Sequence, residues 1–191
     1  MSRTDRSRWD QRYREGSHGN RTTASVWLDA WLPRLAAPRG PTAPPAVDVA
    51  CGTGRNALAL AAAGYRAVGV DVSLAGLHRA AARDPAGRVT WVAADLDRGL
   101  PLRGPFSAIV QVRYRAPELL AGLPAQLAPG GWLLVEVHLR GGPEGVAGPT
   151  GDAFRAEPGE VAAALASERC GVTLECLEAS EGPVTDPDRR L

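Results

Sequence analysis

Between residues 46 and 140 the apolar positions change rhythm repeatedly: short, nearly continuous β-branched runs alternate with Ala/Leu stretches at helical spacing. The runs AVDVA, AVGVD, VTWVAAD and FSAIVQV read as strands buried on both faces, and GWLLVEVHL, after the turn APGG, as a fifth. Helices are expected over 56–63, 73–83 and 117–127, with Gly64 at the C′ position of the first and Ser73 as N-cap of the second. Strands and helices alternating at these intervals predict right-handed βαβ units. The fold class is therefore α/β, a doubly wound, mostly parallel sheet flanked by helices, with ligands expected at the carboxyl ends of its strands.

The flanks follow other patterns. In RWDQRYREGSHG, Trp9 and Tyr13 share one helical face, which suits a short amphipathic helix that either packs on the body or serves as a flap over a pocket. A second helix is expected over 24–35, with Pro33 an awkward interior residue, followed by a proline-rich linker over 38–45. Beyond Arg140 the stretch GGPEGVAGPTGDAFRAEPGE is long enough for a substrate-facing lid; a helix over 158–169, a strand over 172–178 and a polar, proline-containing tail follow. The expected layout is a single domain over 1–191: a helical flap (1–40), a ligand-binding core (46–140), and a lid loop with an abbreviated C-terminal part (141–191).

Composition narrows the partners. The chain has 22 basic and 21 acidic residues, a net charge of +1, so no large field draws it to nucleic acid or an anionic membrane. Every basic Lys/Arg residue is Arg and the one isoleucine is Ile109, which reads as codon bias. The three cysteines, Cys51, Cys170 and Cys176, match no disulfide or metal spacing, and no apolar run reaches membrane-span length. A cytoplasmic location is expected.

Chemistry concentrates in AVDVACGTGRNALALAAAGYRAVGVD. Gly52 and Gly54 let the backbone turn sharply and approach a ligand, and Asp71, ending the second strand, can accept hydrogen bonds from both hydroxyls of a ribose. Gly52, Gly54 and Ala57 also satisfy the G-x-G-x-x-A dinucleotide pattern, which alone is weak. Asp48, just before the turn, suits an ammonium and would repel a pyrophosphate.

With WVAADL and APGGWLLVEVHL downstream, this stretch resembles the class I S-adenosylmethionine-dependent methyltransferases. WDQRY and DVACGTGRNA look most like the small tellurite-resistance and thiopurine types. The resemblance spans about 9–178 and implies a Rossmann-like fold with S-adenosyl-L-methionine as cofactor and S-adenosyl-L-homocysteine as product. It implies that Asp48, Ala50, Gly52 and Gly54 hold the methionine part, with Cys51, Arg55 and Asn56 in the same turn. Asp71, with Val72 and Ser73, would take the ribose, and Asp95 and Leu96, with Ala94, the adenine edge. Gln111 would face the sulfonium, and Trp9, Tyr13 and Arg14 would close over the cofactor, Arg14 on its carboxylate. Two departures stand out: the fourth strand begins Phe106-Ser107 where Phe-Asp is usual, and the customary last antiparallel strand is missing or poorly formed. A sheet ending early leaves an edge for a partner subunit, so monomer and homodimer are both open.

Methyl transfer to a small molecule needs an in-line nucleophile more than an acid or base: for a soft anion such as a thiolate or chalcogen oxyanion, desolvation and a positive environment suffice, whereas a hydroxyl or amine acceptor calls for a base, and the sequence leaves the choice open. Arg113, Tyr114, Arg115, His138 and Arg140 stand at or just past strand ends and are candidates for its pocket; His138 can equally be a packing group, and Cys51 reads as a packed residue. A regulatory protein that binds the cofactor without turnover and a dinucleotide oxidoreductase are the competing readings.

Overall fold

The computed structural model describes residues 3–16, 21–38, 40–141, 149 and 151–182. Five parallel strands form the central sheet: β1 (Ala46–Val49), β2 (Ala67–Asp71), β3 (Val89–Ala93), β4 (Phe106–Val112) and β5 (Leu127–Glu136), in the order β3-β2-β1-β4-β5. The chain steps outward from β1 to β3, then returns to the other side of β1 for β4. Strand order thus reverses between β1 and β4, whose ends are aligned with Val49 beside Gln111.

Both faces are covered because alternate side chains of each strand leave in opposite directions. Ala108, Val110 and Val112 of β4 pack in one core with Ala57 and Leu60 of α3 (Arg55–Ala62) and Leu28 of α2 (Val26–Trp31). Ile109 joins Val47, Val49 and Val70 in a second core, with Leu120 of α5 (Pro117–Gly122) and Leu123. Strands with no solvated face carry no polar alternation, which is why β4 has the bounds its sequence predicts. On α4 (Leu74–Ala82) the side chain of Ser73 accepts from the Gly76 N–H as expected of an N-cap. α1 (Arg3–Arg14) lies against α4.

Several expected elements differ. The helix over 24–35 is α2 alone, continued as a 3₁₀ turn at Leu32–Arg34 that takes in Pro33, which has no N–H for a helical bond. Pro124 likewise closes the helix over 117–127 early, with Pro124–Gln126 as a 3₁₀ turn. The expected turn APGG lies inside β5, where the register jumps from Phe106–Leu127 to Ala108–Trp132 around Gly130 (φ +74°). The end of the expected fifth strand separates as β6 (His138–Leu139), which pairs in parallel with β7 (Arg155–Ala156), so part of the expected lid is ordered structure; 142–148 and 150 lie outside the described residues. The helix over 158–169 shrinks to α6 (Glu160–Leu165) and a 3₁₀ turn at Glu168–Cys170.

The expected strand over 172–178 does not form. Its residues carry the β pattern, but among the described residues no strand pairs with them, and Val172 and Leu177 stand 46% and 59% exposed. A pattern that suits a sheet still needs a neighbouring edge to bond. The described part of the sheet accordingly ends at β5, without an antiparallel last strand.

Candidate active site

At the switch point the turn 50–54 leaves β1. Gly52 (φ +57°) donates its N–H to Asp71 Oδ2 at 2.8 Å, and Ser73 N–H reaches Asp71 Oδ1 at 2.8 Å. The carboxylate ending β2 therefore locks the glycine turn to the next strand. Gly54 (φ +78°) is required sterically as well: a Cβ there would lie 2.4 Å from Cη2 of Trp91. Two non-glycine residues, Ala50 (φ +58°) and Arg113 (φ +59°), adopt the left-handed conformation at the ends of the adjacent strands β1 and β4. Such backbone costs about 1–2 kcal/mol per residue. It lets the chain splay apart around the crevice.

α1 roofs this crevice. Asp10 accepts from the Ser73 hydroxyl at 2.6 Å and the Ala75 N–H at 3.0 Å, and Arg79 donates to the Tyr13 carbonyl. Burial pushes the Asp10 pKa up, but these bonds and Arg14 outweigh it and hold the carboxyl below its ordinary range. The Tyr13 hydroxyl then lies over Gly52, where a Cβ would come within 2.5 Å of it. Trp9 stacks on Tyr13 with centroids 5.9 Å apart and meets Phe154 edge-on at 6.1 Å.

The cavity beneath α1 measures about 140 Å³, stands partly open to solvent, and is lined by Trp9 and Tyr13 of α1, Arg21, the turn residues Ala50, Cys51, Gly52 and Thr53, Arg55 and Asn56 of α3, Asp71 and Val72, Leu96, Val112, Arg113 and Tyr114. Its acidic groups, Tyr13, Cys51, Asp71 and Tyr114, are biased toward their neutral forms. Burial, with Asp48 and Asp71 nearby, pushes the Cys51 thiol far up, so it is no nucleophile near neutral pH. Burial, then the charges of Asp95, Asp71 and Asp5, takes Tyr114 to about 12. Asp71 is raised by burial and partly restored by its backbone N–H bonds. The Tyr114 hydroxyl and the Gln111 Oε1 are buried without a hydrogen-bond partner.

Residues 46–131 match the model of a family described as the methyltransferase domain. The match spans just under half of the chain and makes this stretch similar to a methyltransferase domain. No curated protein matches its sequence. Among solved structures it is similar to TehB from Haemophilus influenzae, at 17% identity over 76% of this chain and 51% of that one, with a TM-score of 0.60. A TehB-like SAM-dependent methyltransferase from Corynebacterium glutamicum is 24% identical over 73% of this chain and 76% of that one, with a TM-score of 0.50. A protein from a study of the conversion of a disulfide bond into a thioacetal group during echinomycin biosynthesis is 17% identical over 85% and 77%, with a TM-score of 0.62. The fold is thus that of the TehB-like SAM-dependent methyltransferase, and residues 46–131 are similar to a methyltransferase domain. The chain spans about half the length of the Haemophilus protein.

The fold brings ten of the residues expected at the cofactor to the cavity wall: Trp9, Tyr13, Ala50, Cys51, Gly52, Arg55, Asn56, Asp71, Val72 and Leu96. Arg113 and Tyr114, expected at the acceptor, line it too. The others stand behind or away from the wall. Asp48 leaves β1 toward α3 and accepts the Ala57 N–H at 3.0 Å, capping that helix from beneath the turn. Gly54 is the N-cap of α3. Ser73 caps α4; Ala94 N–H bonds the Asp71 carbonyl at 2.9 Å; Asp95 caps the 3₁₀ turn Leu96–Arg98. Gln111 is fully buried and donates to the Tyr114 carbonyl at 3.0 Å. Arg14 has a side chain 70% exposed, 3.9 Å from Asp10.

Arg115 is bidentate to Glu160 with both bonds at 2.7 Å, so it anchors α6. His138 pairs with Arg155 in the β6–β7 ladder, and Arg140 forms ion pairs with Glu157 at 2.7 Å and Asp152 at 3.6 Å. Sequence reasoning had not singled out Asp10, Arg21, Thr53 or Arg83. Asp10 sits inside the WDQRY motif, one residue from Trp9, which was a local signal; the other three act through contacts distant in sequence.

Proposed function

We propose that this methyltransferase domain transfers the methyl group of S-adenosyl-L-methionine to a small soft nucleophile, a thiolate or chalcogen oxyanion, in the cytoplasm. The observation that carries the cofactor reading is the Asp71 carboxylate, buried in the cavity wall with one backbone N–H on each oxygen and lone pairs left for two ribose hydroxyls. Val72 and Leu96 offer apolar faces for an adenine. Small-molecule pockets usually measure about 300–1,000 Å³. The cavity of about 140 Å³ stands partly open to solvent, so a ligand can extend outward past α1, whose Trp9 and Tyr13 form its inner face.

When bound, S-adenosylmethionine supplies a methyl group on a sulfonium leaving group. The chain's own task is orientation: holding two partners in line is worth about 7–11 kcal/mol of barrier. No ready base lines the cavity among the described residues: it has no histidine there, Cys51 and Tyr114 stay protonated at neutral pH, and Asp71 is engaged by Gly52 and Ser73. An acceptor that arrives already anionic fits this wall, which also presents Arg21, Arg55 and Arg113. Tyr114 then serves as a hydrogen-bond donor to the acceptor, held by Gln111 from below, while Arg113 is steadied by Glu136 through bonds of 2.6 Å to its backbone and 3.1 Å to its side chain.

Calorimetry with S-adenosylmethionine, then a transfer screen over thiols, selenite and tellurite, tests the reading. Binding followed by methylation of at least one soft anion is expected. Tight binding with no transfer to any acceptor would instead support a cofactor-binding protein without turnover, and a response to NADH but not to S-adenosylmethionine would support an oxidoreductase.

A further inference from the structure

We infer that Glu160 of α6 is a positioning residue for the acceptor wall: through its ion pair with Arg115 it sets where the hydroxyl of the neighbouring Tyr114 stands in the cavity. The inference rests on Tyr114 being the donor to the acceptor, as proposed above, and it makes the C-terminal part of the chain a working piece of the site.

The loop 113–116 leaves β4 under backbone strain, with Arg113 left-handed at φ +59°. A non-glycine residue keeps that conformation only where its surroundings fix it. Three successive residues are fastened here by three different elements. The Arg113 N–H donates to the Glu136 carbonyl of β5 at 2.6 Å, and the Tyr114 carbonyl accepts from Gln111 Nε2 of β4 at 3.0 Å. Arg115 donates through Nε and Nη2 to the two carboxylate oxygens of Glu160, both at 2.7 Å. The first two fastenings belong to the sheet itself, whereas the third comes from a helix 45 residues further along the chain.

The pair is built to hold a position. Both side chains are mostly covered, at 28% and 18% exposure, and two parallel N–H···O bonds fix the plane of a guanidinium as well as its place. The bond from Arg115 outweighs burial and keeps the Glu160 carboxyl below its ordinary range, and the same bond raises Arg115.

An ion pair fastens both its ends, but these two ends differ in what else secures them. α6 packs Val161, Ala164 and Leu165 into the second core, and its N-cap Gly159 donates to Glu181 at 2.7 Å. The helix therefore keeps its place without Arg115. The Tyr114 hydroxyl lines the cavity, and no hydrogen bond holds it among the described residues. Its position is inherited from the backbone on either side, gripped by Gln111 at one residue and by Glu160 at the next.

The test is Glu160→Gln in the full chain, which keeps the side chain's size but removes its charge and one of its two acceptor oxygens. With carbon-13 at tyrosine Cζ, the three tyrosines give three signals, and Tyr114→Phe identifies the one from Tyr114. Glu160→Gln should shift that signal and leave those of Tyr13 and Tyr65 in place, which also reports that the chain is folded. Arg115→Ala should shift the same signal, and adding Glu160→Gln to it should shift it no further, because both act through one pair. In transfer from S-adenosylmethionine to 2-mercaptoethanol or selenite, Glu160→Gln should lower kcat by about 10–100-fold, the order expected when a group is misplaced by about 1 Å, with the Kd of S-adenosylhomocysteine unchanged. An unmoved Tyr114 signal, three signals moving together, additive shifts, or an unchanged kcat beside a shifted signal would overturn this role for Glu160. No transfer by the unmodified chain to either acceptor overturns the soft-nucleophile reading instead, and the Tyr114 signal then decides the role of Glu160 alone.

Discussion

Asp48 gives the sharpest test of how the turn is built. The side chain is 1% exposed, its Oδ2 accepts the Ala57 N–H, and burial lifts its pKa from 3.8 to about 7, against the pull of that bond and of Arg55. For an acid with a raised folded-state pKa, the protonated form is the one the fold favours. Its stabilising share is complete below pH ~4, the unfolded value, and is lost as pH climbs through about 7. At 1.36 kcal/mol per pH unit, that rise bounds the loss at about 4 kcal/mol. Asp48→Asn keeps an oxygen for the Ala57 N–H and cannot ionise. The variant should exceed the parent by about 1.5 kcal/mol near pH 5 and by about 4 kcal/mol at pH 8, so its advantage in the urea midpoint should grow by about 1 M between the two at a slope near 2 kcal/mol/M. Urea titrations of both chains at the two pH values measure it, and taking the difference between chains cancels every other titrating group. A variant equally destabilised at both pH values would refute the reasoning, because the charge would then be stabilising the turn.

Three further outcomes are expected. Tyr114→Phe removes a buried hydroxyl that has no partner, so thermal unfolding should show no loss of stability, with up to about 1 kcal/mol gained, while methyl transfer slows; destabilisation beyond 1 kcal/mol would reveal a bond the structure lacks. Gly54→Ala introduces a Cβ against Trp91 at a positive φ and should cost about 2–4 kcal/mol, read as a fall in melting temperature; an unchanged melt would mean the turn can relax. Asp10→Ala removes the bonds to Ser73 and Ala75 and should loosen α1 by about 1–2 kcal/mol, seen as faster hydrogen exchange within α1 but not in β1 or β4; unaltered exchange in α1 would show that Tyr13 and Trp9 hold the flap alone.

Much of the domain could be read from local pattern. β4 and the start of β1 emerged at their observed positions because strands buried on both faces are written as uninterrupted apolar runs. The glycine turn, Asp71 and the Ser73 cap were legible for a similar reason: each requirement, a positive φ, a carboxylate at a strand end, a hydroxyl before a helix, is met within a few residues. Pro33 and Pro124 were visible too, although their effect, a switch from α to 3₁₀ geometry, depended on what the following residues could still bond.

What sequence could not carry is pairing at a distance. The segment 172–178 has a strand's alternation but bonds to no described edge, whereas APGG, written as a turn, is absorbed into β5 because β4 offers a ladder on either side of it. Asp48 was legible as a charge near the turn, but its partner, the Ala57 N–H, follows from the direction in which β1 turns that side chain. Asp10 on Ser73, and Arg83 on Arg21 and Thr53, join residues 30 to 63 positions apart. Local propensity and spacing determined the domain and the cofactor turn. Only the packed chain decided which acid caps and which helix roofs the cavity, since hydrogen bonds and burial act through space and the sequence records only the groups able to make them.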